Sequence, residues 1–198
     1  MGYLKMFVSS IWAGIAISIG AIAYLATKNA IFFPIGLFIV IIFNLYLYTG
    51  RVPYISGISD FPKLFVMLLG NMLGSFLIGF IIRYCKPSMI DTAMAICQSK
   101  LSEGWTLIPL AMLCNVLIFV AVHICRYEEV FPIIKVICVW MATTTFVICG
   151  FEHCVANTFY FALAGNYSPL VLLYILSNAL CNGIGGVIAY RSLKYISE

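Results

Sequence analysis

In the middle of a largely apolar run from Phe131 to about Leu163, one acid, one imidazole and one carboxamide sit together in Cys149-Gly150-Phe151-Glu152-His153-Cys154-Val155-Ala156-Asn157. The run exceeds the ~20 residues that cross a bilayer, so these groups fall near mid-membrane depth. Ionisable side chains there are costly and by default mark a transport path or a proton relay. Gly150 supplies backbone freedom to interrupt the helix just before them. Freed backbone groups at that depth are tolerated only when buried in protein or lining a cavity. The stretch therefore reads as the centre of a pore. The competing reading is a helix-packing cluster in which Glu152 bonds Asn115 or Asn157 and no solute takes part.

Composition fixes the class. With 64% hydrophobic and 9% charged residues, the chain has too little charge to cover the surface of a soluble domain. Its 198 residues hold about six spans of ~20 with short connections, so residues 1–198 are expected to form a single membrane domain. The net charge of +4 comes from singly scattered Lys and Arg, which argues against a nucleic-acid stripe. No small-residue cleavage pattern follows the first apolar run, so it is expected to stay as a span. Six of the eight cysteines, Cys114, Cys125, Cys138, Cys149, Cys154 and Cys181, lie in apolar runs as small hydrophobes. No Cys/His spacing points to a metal, and no cofactor is implied.

The first span, about Met6 to Thr27, carries Ser10, Gly14, Ser18 and Gly20, a small-residue face for close helix approach. The second run, Ile31 to Tyr48, is expected to break at Thr49-Gly50-Arg51-Val52-Pro53, where Gly50 permits positive φ and Pro53 disfavours helix at Val52. The third span, about Leu64 to Ile82, contains Asn71 in Gly70-Asn71-Met72-Leu73-Gly74. The last, about Leu170 to Tyr190, contains Asn182 in Asn182-Gly183-Ile184-Gly185-Gly186. A long connection from Arg83 to Gly104 precedes the fourth span, about Trp105 to Cys125, which holds Asn115. An Asn-x-x-Gly in the third helix of each half and an interruption in each second helix predict a 3+3 inverted repeat. Its halves are about 6–84 and 105–191, with the solute site between them. Placing the N- and C-termini in the cytoplasm puts Lys5, Arg51, Lys63, Arg126, Lys135, Arg191 and Lys194 inside and only Lys28, Arg83, Lys86 and Lys100 outside, the bias a cell-membrane protein should have.

These residues resemble the formate/nitrite transporter family. Gly150 to Asn157 looks like its Gly-Phe-Glu-His-x-x-Ala-Asn signature, and Leu47-Tyr48-Thr49-Gly50 like its Leu-Phe-Thr-Gly turn; Cys114-Asn115 and the two glycine-flanked asparagines fall in matching order. The resemblance implies an all-α integral membrane fold, aquaporin-like, with interrupted second and fifth helices. It also implies a homopentamer in the lipid bilayer whose protomers each pass small monovalent anions such as formate, nitrite or hydrosulfide, with protons. Carried over by position, His153 is the central pore histidine and Thr49 the hydroxyl facing it. Leu47 and Tyr48 help form one apolar constriction, and Phe146 and Phe151 are pore-lining aromatics. Glu152 and Asn115 form a buried pair behind the histidine, and Lys100 is a lysine in the loop entering the fourth span. The chain departs from the family at Tyr46 and Arg51, and a short segment after Thr49 leaves barely a turn for the second half of the broken helix.

An apolar constriction rejects a bare anion far more strongly than its neutral conjugate acid, and desolvation raises a weak acid's pKa toward protonation. On this reading Lys100 and Arg51 attract the anion, and His153 with Thr49 supplies or relays the proton or stabilises the anion during exchange. The alternative is an aquaporin-like channel for small neutral solutes, although Asn157 is followed by Thr158 and no paired Asn-Pro-Ala occurs. An intramembrane enzyme using Glu152 and His153 lacks a nucleophile or second carboxylate beside them.

Overall fold

In the computed structural model, which describes residues 2–197, the chain is helical, with no strand among the described residues. Four helices are long and apolar enough to cross a membrane: α1 (Tyr3–Thr27), α4 (Phe61–Cys85), α6 (Leu107–Ile124) and α9 (Pro169–Ser197). Between α1 and α4 lie α2 (Ile35–Ile42) and the single turn α3 (Tyr48–Arg51), and between α6 and α9 lie α7 (Pro132–Ile148) and α8 (Cys154–Ala164). The Arg83 to Gly104 connection is not plain loop: it folds as α5 (Ile90–Ser102), which buries Ala93 and Cys97 and packs on α8.

Glycine lets the long helices approach in two pairs. A Cβ at Gly14 would strike the Asn71 carbonyl, and one at Gly74 the Ile11 carbonyl, so α1 and α4 meet nearly backbone to backbone. A Cβ at Gly185 would strike the Met112 backbone, which brings α9 equally close to α6. Every residue of α8 from Cys154 to Leu163 is buried, as expected of a helix that is apolar all round. Large apolar side chains such as Trp12, Phe65, Ile133 and Leu172 instead face outward, the surface a bilayer solvates.

The two broken segments are built alike. Helix α7 ends as Phe151 N–H donates to Phe146 O (2.9 Å) around Gly150 at φ 66°. Helix α2 ends as Leu45 N–H donates to Val40 O (2.9 Å) around Asn44 at φ 49°. Both are left-handed C-terminal stops, a conformation natural to Gly and tolerated by Asn. The expected position of the first break is thereby corrected. The chain leaves the helix at Phe43 to Leu47, whereas Thr49 and Gly50 lie inside α3. Asn44, not Gly50, provides the left-handed residue, because a turn needs that conformation where the helix stops and Gly50 already belongs to the next helical turn.

Candidate functional site

Each re-started half-helix is held by an asparagine from the long helix beside it. Asn71 Oδ1 accepts from Tyr48 N–H (2.7 Å) at the start of α3, and its Nδ2 donates to Ser10 O (2.8 Å) and Tyr46 O (2.9 Å). Asn182 Oδ1 accepts from Cys154 N–H (3.0 Å) at the start of α8, and its Nδ2 donates to Ala111 O (2.7 Å) and Glu152 O (2.8 Å). Helix starts leave N–H groups unpaired, and a carboxamide that accepts there while donating to nearby carbonyls removes the burial cost on three backbone groups at once.

These clamps bring the starts of α3 and α8 face to face. Thr49 Oγ1 and His153 Nε2 lie 3.0 Å apart, across 104 residues of sequence, and both side chains are buried. His153 also caps α8: its Nδ1 accepts from Ala156 N–H at 3.2 Å. A neutral imidazole that accepts at Nδ1 carries its proton at Nε2, so His153 donates to the Thr49 hydroxyl. Phe146 stacks on the His153 ring, with centroids 5.8 Å apart, and Phe33 meets Phe146 edge-on at 5.3 Å.

Behind the imidazole, Glu152 is buried and saturated. Its Oε1 accepts from Lys100 Nζ (2.5 Å), and its Oε2 accepts from Asn157 Nδ2 (2.5 Å) and Tyr174 Oη (2.8 Å). A buried carboxylate needs this much compensation. The expected Glu152–Asn115 pair is not formed. Both polar atoms of the Asn115 side chain lack a hydrogen-bond partner among the described residues, because α6 turns Asn115 toward α9, where its amide fills the space a side chain at Gly186 would need. Lys100 likewise sits in the last turn of α5, not in a loop, and its ammonium is paired.

Two cavities approach the histidine region. One, of about 200 Å³, is lined by Lys100, Glu103, Phe146, Phe151, Glu152 and His153, with Gly150 and Asn157 at its wall. The other, of about 280 Å³, is lined by Asn44, Leu47, Gly50, Arg51 and Arg126. Tyr48 lies outside both: its hydroxyl donates to Ala179 O (3.1 Å), and its ring lines an apolar groove against α9. The sequence reasoning missed Phe33, Glu103 and Tyr174. Tyr174 alone left a trace, as a hydroxyl inside the final apolar run. Tyr174 Oη also lies 3.2 Å from Glu103 Oε2. Burial first, then the Glu152 charge, push the Glu103 carboxyl up to about 7.

A family model described as formate/nitrite transporter matches residues 1–196. The chain belongs to the formate/nitrite transporter family. Its similarity to individual members is modest but long. It is 28% identical over 185 residues to the formate channel FocA of Haemophilus influenzae, a match covering 77% of this chain and 64% of that protein's length. It is 26% identical over 197 residues to the nitrite transporter NirC of Escherichia coli, covering 86% of this chain and 73% of that one. Among solved structures, one described as a pentameric formate channel with formate bound superposes with a TM-score of 0.85 at 23% identity, covering 98% of this chain and 96% of the other. Another, described as an FNT family ion channel, gives 0.86 at 24% identity, covering 98% and 90%. These likenesses fix the fold of this formate/nitrite transporter family chain. With four apolar helices of spanning length, it is an integral membrane protein. The relatives named above are channels and transporters, not enzymes.

Proposed function

We propose that this chain is a membrane channel for small monovalent weak-acid anions of the formate and nitrite class. Its path runs from the Lys100 cavity past Phe151, Phe146 and His153 to Thr49, Leu47 and the Arg51 cavity. The observation that carries this reading is the buried 3.0 Å contact between His153, which lines the Lys100 cavity, and Thr49, whose neighbour Gly50 lines the Arg51 cavity. We further propose that the halves are a 3+3 inverted repeat of six spans. The matching asparagine clamps and the matching left-handed stops at Asn44 and Gly150 support it. A homopentamer in the cell membrane with cytoplasmic termini is the assembly we propose, by likeness to the pentameric formate channel and from the charge bias of the loops.

The chemistry follows from the hydrogen bonds. An anion reaching His153 competes with Thr49 for the Nε2–H donor. Between aromatic and leucine walls the anion's own basicity rises, and the neutral acid then crosses at far lower cost. The imidazole passes its Nε2 proton to the anion only if it takes another at Nδ1, which means releasing the cap to Ala156 N–H. His153 is therefore both the donor in the path and a brake on it. Glu152 and Lys100 fix the backbone and the charge behind it without themselves entering the transfer.

His153→Phe and Thr49→Val in proteoliposomes, assayed for formate and nitrite uptake from pH 5 to 8, test the reading. The expected result is loss of most pH-dependent uptake in His153→Phe and a smaller loss in Thr49→Val. Unchanged uptake in His153→Phe would refute the central role. Water and glycerol flux without anion flux in the unaltered protein would refute the anion channel in favour of a neutral-solute one.

A further inference from the structure

The cavity lined by Leu47 and Gly50 holds positive charge that the histidine site does not account for. Lys100 is neutralised by Glu152, but neither Arg51 nor Arg126 has a carboxylate within 4.0 Å among the described residues. Glu128 and Glu129 follow Arg126 closely in sequence without pairing to it. Both arginines line the same 280 Å³ cavity, whose inner wall includes Leu47.

Each guanidinium is held in place. Arg51 lies 4.7 Å over the Tyr46 ring and donates from Nη2 to Asn44 Oδ1 at 2.7 Å. Arg126 lies 3.7 Å over the Tyr54 ring, and Tyr54 is itself fixed by a 2.9 Å bond between its hydroxyl and His123 Nδ1. The second His123 nitrogen is 3.1 Å from the Tyr127 hydroxyl. A guanidinium held over an aromatic face by its carbon keeps N–H donors available at its rim. Arg51 spends one Nη2 donor on Asn44, and neither group is matched by a protein carboxylate among the described residues, so the remaining donors suit a two-oxygen anion.

We propose that the Arg51–Arg126 cavity is a recognition site for a small planar oxyanion, carboxylate or nitrite in kind, with the Asn44 amide as an additional donor. This rests on the channel reading above and deepens it. The site concentrates two-oxygen anions beside the Leu47 constriction and discriminates against hydrosulfide, which has no second acceptor to fill the fork. Open to water, it acts as a loose capture site that raises local anion concentration, not as a tight trap.

The test is formate, nitrite and hydrosulfide flux in zwitterionic-lipid vesicles, with the protein oriented so that one mouth at a time meets the anion. Arg51→Lys and Arg126→Lys keep the charge and remove the fork. Each is expected to raise the KM for formate and nitrite at that mouth by about three- to fivefold, the scale of an exposed ionic contact, with maximal flux retained. The KM for hydrosulfide, and every KM at the Lys100 mouth, should stay put. Unchanged formate KM, an equal rise for hydrosulfide, or a rise at both mouths overturns the proposal. So does an effect seen only in anionic-lipid vesicles, which assigns the arginines to a headgroup. If the unaltered protein passes none of the three anions, the channel reading itself has failed, an outcome separate from any arginine result.

Discussion

Glu103 is the residue whose behaviour the surroundings change most usefully, because it sits outside the long helices at the Lys100 mouth and titrates near neutrality. An unfolded glutamate loses its proton near pH 4.3, whereas the folded protein keeps this one up to about 7. Between those values the folded state binds the extra proton, so this group's contribution to stability falls as pH rises through the window. The melting temperature of the solubilised protein should therefore decline from pH 5 to 8 more steeply than that of Glu103→Gln; parallel curves would refute the assignment. Ionised Glu103 also adds negative charge beside Lys100 and Glu152, so formate KM at that mouth should rise between pH 6 and 8 in the unaltered protein and remain flat in Glu103→Gln. Much of this residue-level detail was closed to sequence reading. That Glu152 and His153 needed partners followed from their depth, but Lys100 is 52 positions from Glu152 and Tyr174 is 22, and no periodicity links them. Asn115 was misread for the same reason: which way one side chain of α6 turns is decided by the missing side chain at Gly186.

At the scale of elements, two devices decide where helices stop and start again. The stops at Asn44 and Gly150 share one conformation, so Asn44→Gly and Gly150→Asn should both fold. Gly150→Val, a β-branched residue at φ 66°, should lower the melting temperature by an amount reflecting about 1–2 kcal/mol. The restarts depend on Asn71 and Asn182. Alanine at Asn182 strands Cys154 N–H and the carbonyls of Ala111 and Glu152 in a buried place, and should cost about 2–3 kcal/mol, read from thermal denaturation in detergent. Asparagine→aspartate at the same site keeps the acceptor but loses both donated bonds, and should do no better than alanine. The Gly150 break was legible because glycine stood beside polar residues in an apolar run. The first break was placed some residues late because an exposed asparagine in left-handed conformation carries no such mark, whereas Gly50 and Pro53 drew attention to a stretch that remains helical.

The whole molecule is two close helix pairs, α1 with α4 and α6 with α9, around the buried α8. Bulk at their crossings should force the two helices of a pair apart. Gly74→Leu, placed against the Ile11 backbone, is expected to abolish accumulation of folded protein, while Gly57→Leu, where a side chain meets open space, should be tolerated; expression with size-exclusion profiles checks both. The proposed assembly predicts a particle of five times the 22.0 kDa chain mass after detergent correction in light scattering, and a monomeric mass would refute it. Apolar content and the mid-run placement of Glu152 and His153 determined, without coordinates, that this is a membrane helix bundle with a polar centre, because water-poor surroundings leave few ways to satisfy a backbone or bury a charge. The pairing of Thr49 with His153 was anticipated only through the family resemblance of their motifs, and the other partners were a matter for tertiary structure alone. Lys100 and Tyr174 with Glu152, and Arg51 with Arg126, come together through helix crossings whose distances and rotations depend on packing across the whole chain, and local sequence pattern carries no record of them.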